Sequence, residues 1–209
     1  MRRLIAAAFV SLDGVMQAPG GPDEDRTGDF RYGGWITPFS DPELGRGTAE
    51  NGGRPFDLVL GRRTYDIFAG YWPQFDRGPN AVRDIAQEFN HATKYVASRT
   101  QTTFAWRNSQ WLGEDPVAAL RAIRQGEGPD LLTQGSSDLL RTLLASDVVD
   151  ELRLLVYPVL LGRGKRLFGD TVLPSAFTLT RSVTTASGVV LVRYERAGEV
   201  RGGSFGFEE

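Results

Sequence analysis

Short apolar runs alternate with amphipathic segments along this chain, and that alternation limits its possible folds more than any other feature. Three runs have the composition of buried strands: "FDLVLG" (56–61), "TKYVAS" (93–98) and "DLLT" (130–133). Three segments carry apolar residues at helical spacing: "NAVRDIAQEFNH" (80–91), "DPVAALRAIRQ" (115–125) and "SDLLRTLLA" (137–145). Strands that alternate with helices of this length predict an α/β fold with a largely parallel sheet and helices on both faces.

The two ends of the chain extend this sheet. "LIAAAFV" (4–10) is a continuous apolar run, as expected of a central strand, and "TTFAW" (102–106) is a further candidate strand. Three more runs, 150–162, 176–186 and 188–196, predict strands, with a hairpin at Ser187-Gly188 between the last two. We therefore expect a central mixed, mostly parallel sheet of about eight strands whose C-terminal edge strands are antiparallel.

The strand 150–162 contains Pro158, which favours an edge position or a bulge. An apolar edge strand needs cover, and a second copy of the chain would supply it. The sequence therefore predicts a homodimer.

Composition excludes several classes of protein. The chain has 209 residues and a net charge of -2, which gives no general attraction to nucleic acid or to an anionic membrane. It has no cysteine, and its first apolar run is too short to span a membrane. We expect a cytoplasmic protein with one domain over residues 1–197. For the Gly-rich tail, 198–209, disorder and packing over an edge or a partner both remain open.

Clusters of Gly, Ser, Thr and Arg follow three of the predicted strands. They are Gly61 to Thr64, Ser98 with Arg99, and Gly135 to Ser137. Each has a plain explanation on its own: Thr64 caps one helix, Ser136 or Ser137 caps another, the arginines are solvated, and Ser98 sits in a turn. Together they would lie along one edge of a parallel sheet, which suits a ligand with several phosphates, such as a dinucleotide. Neither a G-x-G-x-x-G run nor a G-x-x-x-x-G-K-[ST] run is present.

An ordered set of motifs carries a resemblance to a known family. The motifs are "SLDGVM" (11–16), "LGRRTYDIFAGYWP" (60–73), "ASRT" (97–100), "QGSSDLLRTLL" (134–144) and "VDELRLLVYPVLLGRGKRLF" (149–168). With them the chain resembles the dihydrofolate reductase-like superfamily. Within it, the chain is similar to the C-terminal reductase domain of the bacterial bifunctional riboflavin-biosynthesis deaminase/reductase.

The resemblance implies a three-layer α/β/α reductase that binds NADPH. It implies that Arg62, Arg63 and Thr64 hold phosphates, that Ser98 and Arg99 lie near the 2′-phosphate, and that Gly135, Ser136 and Ser137 cradle the pyrophosphate. It also implies that Ala6 and Ala7 border the nicotinamide and that Asp13 and Gly14 belong to the loop that closes over it.

A reductase also needs a proton source and a substrate pocket. The candidate proton sources are Asp13, Asp41 and Glu43, and Tyr65 is a further one. Asp41 and Glu43 lie on a predicted short helix (40–51), where each also suits the first turn. Neither stands at the spacing of the acid that contacts the pterin in dihydrofolate reductases. Trp35 and Tyr65 are candidates for the substrate pocket, and Tyr71 and Trp72 fit a pocket or the core equally. A single histidine, His91, gives no basis for a metal site.

Three functions remain open at this point. The first is an NADPH-dependent reductase of a small heterocycle (pterin- or ribosylamino-pyrimidine-like) or of a carbonyl compound. The second is a non-catalytic nucleotide-binding protein of the same fold, and the third is a reductase that uses a flavin. We interpret the basic stretch "LGRGKRLF" (161–168) as a solvated turn.

Overall fold

The computed structural model describes residues 1–39, 41, 54–77, 82–170 and 172–206. Within these ranges the strands are β1 (Leu4–Ser11), β2 (Phe56–Gly61), β3 (Lys94–Ala97), β4 (Ser109–Trp111), β5 (Asp130–Gln134), β6 (Glu151–Tyr157), β7 (Ala176–Thr184) and β8 (Val190–Gly198). They form one sheet in the order β4-β3-β2-β5-β1-β6-β8-β7. The first six strands pair in parallel, and β8 is antiparallel to both β6 and β7. The predicted mixed sheet with an antiparallel C-terminal edge is confirmed.

Four described helices cover the two faces of the sheet: α1 (Arg62–Tyr71), α2 (Arg83–His91), α3 (Pro116–Gln125) and α4 (Ser137–Ala145). On one face, Leu120 of α3 and Leu140 of α4 pack with Leu4 and Leu131 of the central strands. On the other face, α1 and α2 pack on β2 and β3. This is the predicted three-layer arrangement, and it brings the carboxyl ends of β2, β3 and β5 to one edge.

A third apolar cluster positions the long loop after β1. Val15, Phe30 and Trp35 of this loop pack against Leu155 and Tyr157 of β6. The loop therefore crosses the sheet on the face that α1 and α2 leave uncovered near β6. It ends up beside the carboxyl ends of the strands.

The predicted strand at 102–106 is wrong, because the strand at that edge of the sheet is β4. Side chains of α1 hold the segment instead of strand pairing. The Phe104 ring packs edge-on against Tyr65, with 4.8 Å between ring centroids. The backbone N–H of Trp106 donates to the Tyr65 hydroxyl over 2.9 Å.

The expected edge position of the strand with Pro158 is also wrong. β6 ends at Tyr157, one residue before the proline, and lies inside the sheet between β1 and β8. The strand needs no cover from a second chain. The homodimer therefore stays a prediction, but the need to cover an apolar edge strand no longer supports it.

The helix signals have mixed outcomes. Asp115 caps α3 as predicted, since its carboxylate accepts the backbone N–H of Val117 and of Ala118 over 3.0 Å each. The predicted cap Thr64 is wrong, because α1 begins at Arg62 with Gly61 as its N-cap. Apart from Asp41, the predicted helix 40–51 lies outside the described residues.

Of the tail, residues 199–206 are exposed and have no regular secondary structure.

Candidate active site

A cavity of about 1070 Å³ lies at the carboxyl ends of the parallel strands. Gly61, Ala97 and Gln134, the last residues of β2, β3 and β5, all line it. Of the residues predicted to bind a cofactor, nine are on its wall: Gly61, Arg62, Arg63, Thr64, Ser98, Arg99, Gly135, Ser136 and Ser137. The structure therefore brings together the three clusters that the sequence pointed to.

The N-terminus of α4 presents free backbone donors to this cavity. Gly135 and Ser136 both have left-handed backbones, with φ of +74° and +71°. Ser136 occupies the N-cap position, but its side chain makes no cap hydrogen bond. Within the described ranges, no acceptor is found for the backbone N–H of Ser137 or Asp138. Such unpaired N–H groups and the helix dipole favour an anion at this end.

The Ser136 hydroxyl instead connects the two helix N-termini. It accepts the backbone N–H of Gly61 over 2.8 Å, and Gly61 is the N-cap of α1. A Cβ at Gly61 would lie 3.2 Å from the Ser136 Cβ, a tight contact that glycine avoids at this close approach. No side chain caps α1 either. The predicted capping by Ser136 is therefore wrong, and two uncapped N-termini meet at the cavity.

The arginines of the wall differ in their partners. Arg62 forms an exposed ion pair with Asp66, one turn along α1, over 2.8 Å. Arg63 donates from Nη1 to Asp25 Oδ1 over 3.1 Å. Arg99 is exposed and makes no hydrogen bond or ion pair with any residue that the structure describes. Ser98 is buried, and its hydroxyl accepts the backbone N–H of Gln101 over 2.9 Å.

Sequence reasoning missed a polar network in the loop after β1. Asp25 accepts from Lys165 Nζ over 2.6 Å and from the Thr27 hydroxyl over 2.6 Å, in addition to Arg63. Gln17 fixes the loop further, since its amide donates to the Thr27 carbonyl and accepts the Lys165 backbone N–H. The interpretation of "LGRGKRLF" as a solvated turn is therefore wrong for Lys165, which lines the cavity.

Asp25 is ionised in this network. Burial alone would raise the pKa of Asp25, but hydrogen bonds from Lys165 and Thr27 outweigh burial and lower it to about 2. At neutral pH the carboxylate is therefore an anion between two cations. No sequence motif signals it, because Asp25, Arg63 and Lys165 come from three separate segments.

Of the predicted catalytic acids, the two that the structure describes, Asp13 and Asp41, are not on the cavity wall. The Asp13 carboxylate accepts the Ser11 hydroxyl over 2.6 Å and the backbone N–H groups of Leu161 and Gly162. Burial would raise its pKa, but these hydrogen bonds lower it to about 2, so Asp13 is an anion that joins two loops. Asp41 accepts the backbone N–H of Ser187 over 3.3 Å, in the turn between β7 and β8. Glu43 lies outside the described residues.

The predicted substrate residues pack in the interior instead. Trp35 is buried, and its indole N–H donates to the Gln17 carbonyl over 2.8 Å. Tyr65 is buried beneath α1, where its hydroxyl accepts from Trp106. Neither residue lines the cavity. The Tyr65 ring packs in the apolar cluster under α1 and α2, and the Trp35 ring packs in the cluster between the loop after β1 and β6.

The residues predicted to lie near the nicotinamide, Ala6, Ala7 and Gly14, are also away from the cavity wall. Ala6 and Ala7 are buried within β1, and the Ala7 carbonyl accepts the Gly135 backbone N–H over 3.1 Å. Gly14 lies in the turn after β1 with φ of +77°. None of the three lines the cavity, where Phe9, two residues further along β1, takes that place.

One arm of the cavity is apolar and aromatic. Its wall consists of Ile67, Phe68, Tyr71, Trp72, Ile85 and Phe89, from α1, α2 and the turn after α1. The Phe68 and Phe89 rings are stacked, with 5.6 Å between centroids. Of these residues, the sequence indicated Tyr71 and Trp72 only. Helical spacing does not tell a cavity-facing aromatic side chain from one in the core.

Comparison with known proteins settles the family. The sequence matches the RibD C-terminal domain family over residues 2–191. The chain belongs to the RibD C-terminal domain family. The resemblance drawn from the sequence motifs is thereby confirmed, and membership of the RibD C-terminal domain family gives the chain a reductase-type fold.

Relatives of this RibD C-terminal domain chain cover nearly all of it. The Bacillus subtilis (strain 168) protein YyaP, described as an uncharacterized protein, is 27% identical over 194 residues, which are 92% of this chain and 94% of YyaP. A Shewanella sp. PV-4 protein ascribed to riboflavin biosynthesis is 20% identical, with a TM-score of 0.59 and coverage of 93% and 99%. The Enterococcus faecalis dihydrofolate reductase complexed with NADP(H) and RAB-propyl is 16% identical, with a TM-score of 0.57 and coverage of 93% and 96%.

Among the described residues, no helix has the length and apolar character needed to cross a membrane. In the same residues, no group of three or more His, Cys, Asp or Glu side chains is placed to hold a metal ion.

Proposed function

We propose that this chain is an NADPH-dependent oxidoreductase that transfers a hydride to a small heterocycle of the pterin or ribosylamino-pyrimidine type, or to a carbonyl compound. The observation that carries the proposal is the meeting of two uncapped helix N-termini, those of α1 and α4, on one cavity wall. Backbone N–H groups at two such ends suit the two phosphates of a dinucleotide better than a single anion.

The residues present fit the cofactor. At Gly135, the space that a side chain would occupy holds no atom within 4 Å, so a ligand can approach the backbone there. Thr64 and Ser137 add side-chain hydroxyls to the same wall. A pyrophosphate held there would accept hydrogen bonds from the N-terminus of α4.

We propose that Arg99 distinguishes NADPH from NADH. It is exposed at the cavity wall, next to Ser98 at the end of β3, and no described residue neutralises it. A guanidinium in such a position binds a phosphate through charge-assisted hydrogen bonds. The extra phosphate of NADPH would give Arg99 the anion that NADH lacks.

When bound, the reduced nicotinamide supplies the hydride. The chain's part is to align the reactants and to exclude water. Phe9, Met16 and Ile36 give the cavity apolar walls beside the loop after β1. These side chains would keep water away from the reacting atoms.

The experiment is a fluorescence titration of the purified protein with NADPH and, separately, with NADH. We expect NADPH to bind at least tenfold more tightly, and we expect R99A to remove most of that difference. R83A is the control, because Arg83 is exposed on α2 and lies outside the cavity. If neither nucleotide binds, the proposal fails.

A second step separates catalysis from binding alone. The probes are 7,8-dihydrofolate, 5-amino-6-(5-phosphoribosylamino)uracil and 4-nitrobenzaldehyde, and the readout is NADPH consumption at 340 nm. Binding without consumption of any probe would favour the non-catalytic nucleotide-binding protein. Absorbance near 450 nm in the purified protein would favour the flavin-using reductase.

A further inference from the structure

Five carboxyl side chains line the cavity in the part of the chain that the structure describes: Asp23, Glu24, Asp25, Glu114 and Asp138. Asp23, Glu114 and Asp138 are exposed, and Asp23 also pairs with Arg26. Asp25 is held as an anion by Lys165 and Arg63. Glu24 remains as the one half-buried carboxyl group among these five for which the described residues provide no ion pair.

Backbone donors orient Glu24 through a single oxygen. Its Oε2 accepts the N–H of Gly20 over 2.6 Å and the N–H of Gly21 over 3.2 Å. Both glycines also line the cavity. No described residue donates to Oε1, so one oxygen positions the carboxyl group of a residue that lines the cavity.

The surroundings of Glu24 favour its protonated form. Burial raises the pKa of Glu24 above its ordinary value of 4.5, and the negative charge of Asp25 raises it further. The hydrogen bonds from Gly20 and Gly21 act in the opposite direction without reversing the shift. Asp25 and Asp13 have shifts of the opposite sign, so neither carries a proton at neutral pH.

We propose that Glu24 is the proton donor of the reduction in this cavity, an inference that rests on the proposed function. The hydride forms a C–H bond at the carbon of a C=N or C=O group, and the π electron pair moves to the nitrogen or oxygen. That atom takes the proton of the Glu24 carboxyl group. The cofactor is oxidised, the substrate is reduced, and the Glu24 carboxylate regains a proton from water.

The first test needs neither cofactor nor substrate turnover. Chains labelled with ¹³C at the Glu side-chain carboxyl carbon are titrated between pH 3 and pH 8 by NMR, and E24Q assigns the Glu24 signal. We expect a midpoint above 4.5 for Glu24 and a further shift of that midpoint when NADP⁺ is added. A midpoint at or below 4.5, or one that NADP⁺ leaves unchanged, overturns the proposal.

Glu88 provides a matched control. Burial and the charge of Asp84 raise its pKa as well, but Glu88 lies on α2 outside the cavity. We expect NADP⁺ to leave the Glu88 midpoint unchanged. If NADP⁺ shifts both midpoints alike, the response at Glu24 is not local to the cavity, and this result also counts against the proposal.

The second test compares turnover of the probe that the wild-type chain consumes fastest. We expect E24Q to lower kcat by about 100-fold while KM and the Kd of NADPH change less than twofold, because general acids contribute factors of this size. The glutamine keeps an acceptor for Gly20 and Gly21, so the loop should retain its structure. E88Q should keep the wild-type kcat.

The pH profile separates a proton donor from a structural residue. In the wild type, kcat should fall as the pH rises through the pKa of Glu24, and this limb should be absent in E24Q. An E24Q chain with wild-type kcat and pH profile overturns the role of Glu24 and leaves the proposed function standing. Failure of the wild type to bind NADPH sinks the proposed function itself.

Discussion

Gly61 is the residue on which the joining of the two helix N-termini depends. A Cβ there would lie 3.2 Å from the Ser136 Cβ and 3.3 Å from its hydroxyl oxygen, closer than ordinary contact. We expect G61A to displace Ser136, to lower the free energy of unfolding by about 1 to 2 kcal/mol and to weaken NADPH binding about tenfold. Urea unfolding and a fluorescence titration measure the two effects.

Gly70 gives the matched control on the same helix. A Cβ at Gly70 would meet no atom within 4 Å, and the residue is exposed near the end of α1. We expect G70A to raise the free energy of unfolding by about 0.5 to 1 kcal/mol, because alanine is the better helix former. If G61A and G70A change the free energy of unfolding equally, the close packing of Gly61 against Ser136 does not limit which residue position 61 accepts.

Lys94 is a buried cation that forms no ion pair with an acid among the residues that the structure describes. Its ammonium group donates to the carbonyls of Phe89 and Asn90 at the end of α2, and it lies 4.3 Å from the centroid of the Trp106 ring. Burial and the positive charge of Arg107 lower the pKa of Lys94 from 10.5 to about 8. The folded chain therefore releases this proton at a lower pH than the unfolded chain does.

We expect the fluorescence of Trp106 to change between pH 7 and pH 9.5 with a midpoint near 8, as the adjacent positive charge disappears. The unfolded chain binds more protons at Lys94 between pH 8 and pH 10.5, so stability should rise with pH in that window. Fluorescence titration of the wild type and of K94M measures the first effect. A transition near pH 8 that persists in K94M would contradict the assignment.

At the scale of elements, the loop after β1 depends on the Asp25 network. The folded pKa of Asp25, about 2, lies below that of the unfolded chain, so its contribution is complete above about pH 5 and is lost as the pH falls towards 2. We expect D25N to lower the free energy of unfolding at pH 7 by about 2 kcal/mol. Between pH 5 and pH 3, the wild type should lose about 1 kcal/mol that D25N does not.

Urea unfolding at pH 7, 5, 4 and 3 measures this difference. D66N is the control, because Asp66 pairs with the neighbouring Arg62 on the exposed surface of α1. Exposed pairs one turn apart contribute about 0.3 to 0.5 kcal/mol, so D66N should change stability little. Parallel pH profiles of D25N and the wild type would mean that Asp25 does not hold the loop through its charge.

At the scale of the whole molecule, cofactor binding should stabilise the fold. The proposed phosphate contacts come from α1, α4 and the end of β3, so NADPH would connect three elements. At 100 times its Kd, a ligand adds about 2.7 kcal/mol, which corresponds to a rise in Tm of about 5 to 10 °C for a chain of this size. Differential scanning fluorimetry with NADPH and NADH measures the rise.

Salt concentration tests the electrostatic part of that stabilisation. Contacts between phosphates and exposed arginines weaken as salt screens them. We expect the NADPH-induced rise in Tm at a fixed nucleotide concentration to be smaller in 0.5 M than in 0.05 M sodium chloride. A rise that salt leaves unchanged would argue against phosphate binding by Arg62, Arg63 and Arg99.

The homodimer belongs to this scale as well. β6 is interior, and the edge strands of the described sheet are β4 and β7. The central residues of β7, Thr178–Ser182, are accessible to solvent on both faces. We still propose a homodimer, now without an assigned interface. Light scattering coupled to gel filtration distinguishes one chain from two.

The sequence by itself determined most of the described helices and strands and their order along the chain, with β4 as an exception. The bounds of β2 and α4 agree with the predicted ranges 56–61 and 137–145, because apolar periodicity and glycine punctuation are local signals. The family resemblance followed from motifs in order along the chain. The meeting of the three Gly, Ser, Thr and Arg clusters at one cavity followed as well, since parallel strands share a carboxyl edge.

The tertiary structure decided which side chains reach the cavity. Asp13 was drawn away by the backbone N–H groups of Leu161 and Gly162, nearly 150 residues further along the chain. Asp25 and Glu24 gained their opposite pKa shifts from contacts and burial that no local pattern encodes. A sequence records which residues follow a strand, but the charge state of a carboxyl group depends on what the folded chain brings against it.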